Sequence, residues 1–383
     1  MEGMASTLLS GETYLLIPIL LLLPFLFLIF KHIRKPFPSR FPPLPPGPYP
    51  WPIIGNLLHM GKKPHVALAQ LGQAHGPLIS LRLGTQLLIV GSSPAAATEI
   101  LKIHDRLLCG RHVPHVSYAK SLDHNHLSLG WTFECNERWK FLRTLCRTEL
   151  FAPKIIDAQT NPREKKVKEM VGFLCSKEGE VVRVREVVFA TIFNFLGNIF
   201  VSEDFITFDG GEKDGSMSGL LRRIIELWTT PNISDLYPIL GGFDLQGLNK
   251  KAMECFRRIC ATCQVMNYTI PKDSQVIVNV WAMGRDPAIW EDPLTFKPER
   301  FLNSDLDFKG NDFEFVPFGG GRRICPGLPM AVRQIHLTLA SLIHKFEWSL
   351  PHNMQPNQLD MNEKFGLTLQ KEHPLLLIPK LRM

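Results

Sequence analysis

The sequence predicts a mainly α-helical fold with a smaller β portion, preceded by one membrane-spanning helix. Three observations lead there. Long segments such as ERWKFLRTLCRTELF (137–151) and MAVRQIHLTLASLIHKF (330–346) carry apolar residues at helical spacing. Strand-like alternation is confined to short stretches, LISLRLG with QLLIVGS, and VMNYTIPKDSQVIV after about residue 263. Tyr14 to Phe30 is a run of 17 residues without a charge, close to the minimum for crossing a bilayer.

The amino-terminal run reads YLLIPILLLLPFLFLIF, and its Pro18 and Pro24 are tolerated in a membrane helix. KHIRKPFPSR follows at once and places that side in the cytosol. Charges stand where a cleaved signal would need small residues, so the run is an uncleaved anchor. From Phe41 to Asn56 come seven prolines, which exclude helix and favour a stiff extended rod. Because the rod runs straight into WPIIGN and a folded region, it reads as a spacer docked on its own domain.

Within the body, helix is expected over Pro64 to His75, ending at Gly76-Pro77. A hairpin turning at Gly84-Thr85 follows, then a helix capped by Ser93 with Pro94 at its first position. Glu137 to Phe151 is an amphipathic helix stopped by Pro153. Glu164 to Cys175, Val187 to Phe200, Leu220 to Trp228 and Asn249 to Arg258 also have helical patterns, with a loop over Gly210 to Gly215. Beyond residue 263 come short strands around Pro-Lys-Asp and the irregular DPAIWEDPLTFKPERFLN. A glycine-rich loop, the helix over 330–346 and FGLTLQKEHPLLLIPK as a closing hairpin complete the chain.

Composition narrows the function classes. With 45% hydrophobic and 21% charged residues, neither disorder nor a disulfide scaffold fits the 383-residue chain. The net charge of +7 includes the cluster Lys31, Arg34, Lys35 and Arg40, without basic runs interleaved with aromatics. No nucleic-acid partner is expected; a basic face suits an acidic protein or anionic lipid. Eight cysteines show no secreted framework, and the C-x-x-C at Cys260 and Cys263 lacks the second pair or histidines of a zinc site.

The strongest chemistry lies in FGGGRRICPG, Phe318 to Gly327. A thiolate that ligates haem iron must approach from a loop whose backbone comes close to the ring, which Gly319, Gly320, Gly321 and Gly327 permit. It needs backbone N–H groups and a helix start behind it, and an apolar shield such as Phe318. Arg323 offers a fixed charge to a haem propionate. A glycine-rich turn with an incidental cysteine is the plain alternative. A phosphate loop fails, because neither G-x-x-x-x-G-K-[ST] nor G-x-G-x-x-G is present.

Phe318, Gly321, Arg323, Cys325 and Gly327 match every fixed position of F-x-x-G-x-R-x-C-x-G, so the chain resembles the cytochrome P-450 family. PERF at Pro298 to Phe301 resembles that family's meander, and Trp139 with Arg143 resembles its W-x-x-x-R helix. Four apart, those two share a helix face, from which both are expected to reach haem propionates. Alone, Trp139 would be core and Arg143 a solvated charge. The resemblance implies the cytochrome P-450 fold and haem b (iron protoporphyrin IX) with Cys325 as its metal ligand. Trp139, Arg143, Phe318, Gly321, Arg323 and Gly327 would hold the cofactor. The implied reaction is hydroxylation of a small lipophilic substrate with O2, the electrons coming from NADPH-cytochrome P-450 reductase.

The resemblance also implies a single-pass protein of the endoplasmic reticulum membrane with its body in the cytosol. The segments would be the anchor (1–30), the basic stop and hinge (31–52), and one haem domain in two parts (53–262 and 263–383). KPHVALAQL, EILKIHDRLL, CRTELF and EKFGLTLQKEHPL are similar to plant members that oxidise benzylisoquinoline alkaloids. A neighbouring group hydroxylates monoterpene alcohols. Residues 107–130 and 364–369 are the expected substrate contacts.

Two features of the family are missing: the distal helix with an A-G-x-x-T-like segment, and the E-x-x-R helix. Hence no catalytic residue for oxygen activation is identified. The one E-x-x-R match, Glu254 to Arg257, lies too close to Tyr268 and reads as part of a surface helix. One internal deletion with its junction near Cys260 to Met266 accounts for both, the chain being roughly a hundred residues short for the family. Arg300 should then be a buried charge without partners, at a cost of about 3–5 kcal/mol. Neighbouring elements should expose apolar faces, and the distal side should admit water. Such a chain would be a non-catalytic membrane-bound family member, or an interaction module without haem.

Overall fold

The computed structural model describes residues 42–111, 129–130, 132, 134–208, 262–366 and 368–382. The anchor, the basic stop, the loop at 210–215, the helices expected at Leu220 to Trp228 and Asn249 to Arg258, Glu254 to Arg257, and residues 112–128 lie outside them. Among the described residues no helix is long and apolar enough to cross a membrane.

The proline segment is docked, as its sequence suggests. Proline has no N–H, so each can only accept. Thr269 donates to the carbonyls of Pro42 (Oγ1, 2.6 Å) and Pro43 (N, 3.0 Å). Ser80 donates to Pro45 (Oγ, 2.6 Å) and Pro46 (N, 2.8 Å). Gly47 passes so close that a Cβ there would lie 1.9 Å from the Ser80 carbonyl oxygen.

Helix α1 spans Pro64–His75 and ends at Gly76, matching its punctuation. Strands β1 (Leu78–Leu83) and β2 (Gln86–Gly91) form the expected antiparallel hairpin, with Ile79 opposite Val90 and Leu81 opposite Leu88. Those four pack with Leu68 of α1, while Leu78 and Ile89 face a second cluster with Ala96 and Ile100. Helix α2 (Pro94–Thr98) is capped by the Ser93 side chain, which accepts from the Ala96 N–H at 3.2 Å. It continues as a wider π turn over Glu99–Ile103.

Helix α3 (Glu137–Leu145) also widens to π geometry, over Cys146–Leu150, and Pro153 then opens a short helix, Pro153–Ala158. Helix α4 (Thr160–Ser176), β3 (Val182–Arg183) and helix α5 (Val184–Val201) follow. Strands β4 (Cys263–Val265) and β5 (Tyr268–Ile270) make a small hairpin. Pro271 to Asp273 leads on to β6 (Gln275–Val278), which joins β2 in parallel. Buried in β4, Cys263 has its thiol pushed up by desolvation.

Helix α6 (Leu328–Lys345) runs into β7 (Phe346–Ser349). Leu342 and Phe346 pack with Val167, Met170 and Leu174 of α4. The expected closing hairpin is only half right. Strands β8 (Glu363–Lys364) and β9 (Gln370–Lys371) pair, but β10 (Leu376–Leu381) lies between β3 and β7 instead. The pairing is set by Leu377 opposite Val182 and Leu381 opposite Phe346, two core positions distant in sequence.

The N-terminal sheet region is tied to the hairpin β8–β9 by a polar cluster. Glu363 accepts from Trp281 Nε1 (3.0 Å), His65 Nε2 (3.1 Å) and Arg285 (2.9 Å), and Arg285 lies 4.3 Å over the Trp281 ring. Burial works to raise the Glu363 carboxyl, yet these bonds and the Arg285 charge outweigh it and hold it below the ordinary value.

Candidate functional site

Residues Phe318 to Gly327 form a tight loop before α6. The Cys325 N–H donates to the Phe318 carbonyl at 3.0 Å and closes it, and a single turn of 3-10 helix, Gly321–Arg323, shapes its floor. Gly321 is the fixed point. Its φ is +60, and a Cβ there would fall 1.7 Å from the Leu101 carbonyl oxygen. Any side chain would collide with the backbone of the π turn, so the loop seats on that turn only because position 321 is glycine. Phe318 is half-buried and packs at 6.3 Å from Phe308. Gly327 differs from the expectation for it: its φ is −84, and a Cβ would meet Phe151 at 3.7 Å and Cys325 Sγ at 3.9 Å, ordinary contacts. The chain itself therefore does not demand glycine there; the room it leaves lies beside the Cys325 sulfur.

The structure brings Trp139, Arg143, Arg323 and Cys325 together. On α3, Trp139 is held by the Asn136 cap and lies buried, with the Arg323 guanidinium 4.6 Å over its ring and that of Arg143 at 6.0 Å. Arg143 donates to the Ile324 carbonyl, next to Cys325 in the chain. Burial pushes both guanidinium groups below the ordinary arginine value, against the pull of the Cys325 thiol on Arg143 and the Cys135 thiol on Arg323.

The donors expected to reach haem propionates bond to backbone carbonyls. Arg323 donates Nε to Cys109 O (2.8 Å), Nη1 to Leu129 O (2.9 Å) and Nη2 to Thr132 O (3.0 Å). Trp139 Nε1 also donates to Leu129 O, at 3.1 Å. The acceptors around Arg323 are the neutral carbonyls of Cys109, Leu129 and Thr132. Among the described residues no carboxylate pairs with Arg143 or Arg323. Two half-buried guanidinium groups beside a half-buried thiol, without a protein anion opposite, fit a group that carries carboxylates and takes sulfur as an iron ligand.

Arg300 corrects another expectation. Its guanidinium is not stranded: it donates to the carbonyls of Glu291 (2.6 Å), Asp292 (3.1 Å) and Thr295 (3.0 Å). The irregular stretch before the meander curls around the charge and satisfies it locally, which removes the predicted penalty. Sequence reading also missed Cys109, Cys135 and Arg322 at the edge of this site. Nothing in their spacing marks them, since the contact forms only when the chain returns across the site.

The chain matches the model of the cytochrome P450 family over residues 45–264 and 250–378. It belongs to that family of haem-thiolate monooxygenases. It is 40% identical to the probable (S)-N-methylcoclaurine 3'-hydroxylase isozyme 2 of Coptis japonica, over 94% of this chain and 97% of that protein. Against (S)-N-methylcoclaurine 3'-hydroxylase isozyme 1 of Papaver somniferum the identity is 38%, over 94% and 98%. Against isozyme 1 of Eschscholzia californica it is 37%, over 89% and 94%. These relatives bear out the likeness seen in segments such as KPHVALAQL and CRTELF. The alignment with the Coptis japonica protein is 480 positions long, more than the 383 residues of this chain, so that protein has residues without a counterpart here.

Proposed function

We propose that this chain binds haem b through the Cys325 thiolate and hydroxylates a small lipophilic plant metabolite, a benzylisoquinoline alkaloid. The convergence of Arg143 and Arg323 on the Cys325 loop, with no carboxylate to answer them among the described residues, carries this reading. When bound, haem supplies the iron at which O2 is reduced and one oxygen atom passes to the substrate.

The chain's own residues do the rest. Cys325 offers its sulfur from a loop held closed by the Phe318 carbonyl, and the Phe318 ring keeps water from that sulfur. Arg143, Arg323 and Trp139 Nε1, which now donate to backbone carbonyls, would hold the haem propionates. Propionates would offer the guanidinium groups paired anionic acceptors, which single carbonyls do not. Cys109 and Leu129, whose carbonyls Arg323 holds, belong to the stretch 107–130 that we assign, with 364–369, to substrate contact. Lacking any dinucleotide fingerprint, the chain takes electrons from NADPH-cytochrome P-450 reductase. The run Tyr14 to Phe30 would anchor this chain in the endoplasmic reticulum membrane, its body facing the cytosol.

N-methylcoclaurine is the first substrate to try, because the relatives are named for it. Membranes holding this chain and the reductase, given NADPH and N-methylcoclaurine, should yield a product heavier by one oxygen atom, and the Cys325→Ser variant none. Geraniol as the better substrate would move the assignment to monoterpene alcohols.

A second reading is favoured by the family match falling into two segments that overlap at 250–264, and by the greater length of the relatives. One internal deletion near Cys260 to Met266 has removed the distal helix and the E-x-x-R helix, leaving a membrane-bound chain that holds haem without turnover. Sequencing the transcript across codons 255–270 tests the deletion. Haem-loaded chain that leaves every substrate unchanged in the presence of reductase selects this reading over the first.

A further inference from the structure

Strands β8 and β9 share only two residue pairs, Glu363 with Lys371 and Lys364 with Gln370. A hairpin that short does not hold its own tip in place. Its orientation is set from outside, through one carboxylate. Both oxygens of Glu363 are taken. Oε1 accepts from Trp281 Nε1 (3.1 Å) and Arg285 Nη2 (2.9 Å), and Oε2 from Trp281 Nε1 (3.0 Å) and His65 Nε2 (3.1 Å). His65 is itself fixed: its carbonyl accepts from Asn279 Nδ2 at 3.1 Å, and its ring meets that of Trp281 edge-on at 5.1 Å.

Against the same imidazole lies Phe365, stacked at 5.5 Å with 11° between the two rings. Glu363 and Phe365 thus rest on one fixed ring, the first by a hydrogen bond and the second by its face. Phe365 is nonetheless 51% exposed, so much of its ring surface is open. A flat apolar ring braced from behind suits an aromatic ring of a bound molecule better than an acyclic chain.

We propose that Glu363 is a positioning residue for substrate: by clamping the base of the β8–β9 hairpin it holds Phe365 against His65, with the open side of the Phe365 ring presented to an aromatic ring of the substrate. The inference deepens the reading above and rests on it, since that reading assigns 364–369 to substrate contact. Glu363 touches no substrate and acts through Phe365. Loss of the clamp therefore weakens the hold on aromatic substrates and spares compounds without a ring to stack.

Two readouts on the full-length protein supplied with haem test this. By hydrogen–deuterium exchange and mass spectrometry, amides of β8 and β9 should exchange about tenfold faster in Glu363→Ala, while those of β1 and β2 stay unchanged. By equilibrium dialysis, Glu363→Ala and Phe365→Ala should each bind N-methylcoclaurine about fivefold more weakly, and geraniol by less than about twofold. The double variant should show that same fivefold loss and not the product of two, because both changes remove one contact. Unchanged exchange in Glu363→Ala would overturn the proposal. So would unchanged affinity in Phe365→Ala, or losses that multiply in the double variant. Should Glu363→Ala fail to fold, Trp281→Phe deletes one donor to the carboxylate and should move both readouts the same way by a smaller factor. A natural chain that binds neither compound sinks the substrate reading, whereas faster exchange of β8 and β9 in the variant still upholds the clamp.

Discussion

The two sides of helix α6 differ in a way that composition alone would not suggest. On one side Gln334, Thr338 and Leu342 are buried, and Gln334 Nε2 donates to Thr338 Oγ1 at 3.0 Å. Leu342 there packs with Val167, Met170 and Leu174 of α4. On the other side Ile335, Leu339 and Ile343 sit at i, i+4 and i+8 with exposures of 51%, 52% and 53%. One amide and one hydroxyl lie inside while three large aliphatics face out. An exposed aliphatic stripe of this kind marks a surface suited to a further packing contact. The lesson is that α6 buries its Leu342 side against α4, while its Ile335, Leu339 and Ile343 stripe stays exposed.

That contrast can be broken by mutation. Leu342→Ala should cost the most, about 3 kcal/mol, because it opens a cavity against α4; a urea titration followed by circular dichroism reads it. Gly321→Ala should cost about 2 kcal/mol from the left-handed backbone, plus the collision with Leu101 O, and should lower haem retention in the purified protein. Glu363→Gln should cost roughly 1.5 kcal/mol, since Arg285 loses its charged partner. The sign of its pH dependence follows from the depressed carboxyl. The stabilisation is full above the ordinary glutamate range and is lost as pH falls through the folded value below it. Urea midpoints of Glu363→Gln should therefore fall less steeply on acidification than those of the natural chain. Leu339→Ala should change stability by less than about 0.5 kcal/mol. A loss at Leu339 as large as that at Leu342 would mean the stripe is covered in solution.

Much of the fold could be read from local chemistry. Pro64, Ser93 with Pro94, Gly76 and the Gly84-Thr85 turn each mark a boundary with residues that act on their own neighbours, and the structure puts the boundaries there. The docked proline segment was legible too, because prolines can only accept. What failed was non-local. Leu376 to Leu381 lies between β3 and β7 because distant core residues select it, not because of any turn before it. Of the site, Trp139, Arg143, Arg323 and Cys325 were found by motif. That Arg323 would reach the carbonyls of Cys109, Leu129 and Thr132, and that Arg300 would be satisfied by residues 291–295, depends on how loops fold back and leaves no mark in spacing.

The central claim is that sulfur from Cys325 ligates haem iron beside Arg143 and Arg323. The most direct test is the carbon monoxide difference spectrum of the reduced, full-length protein expressed with excess haem. A Soret band at the position typical of thiolate ligation, lost in Cys325→Ser and weakened in Arg323→Ala, is the predicted result. A band unchanged in Cys325→Ser, or no haem retained by the natural chain, would contradict it.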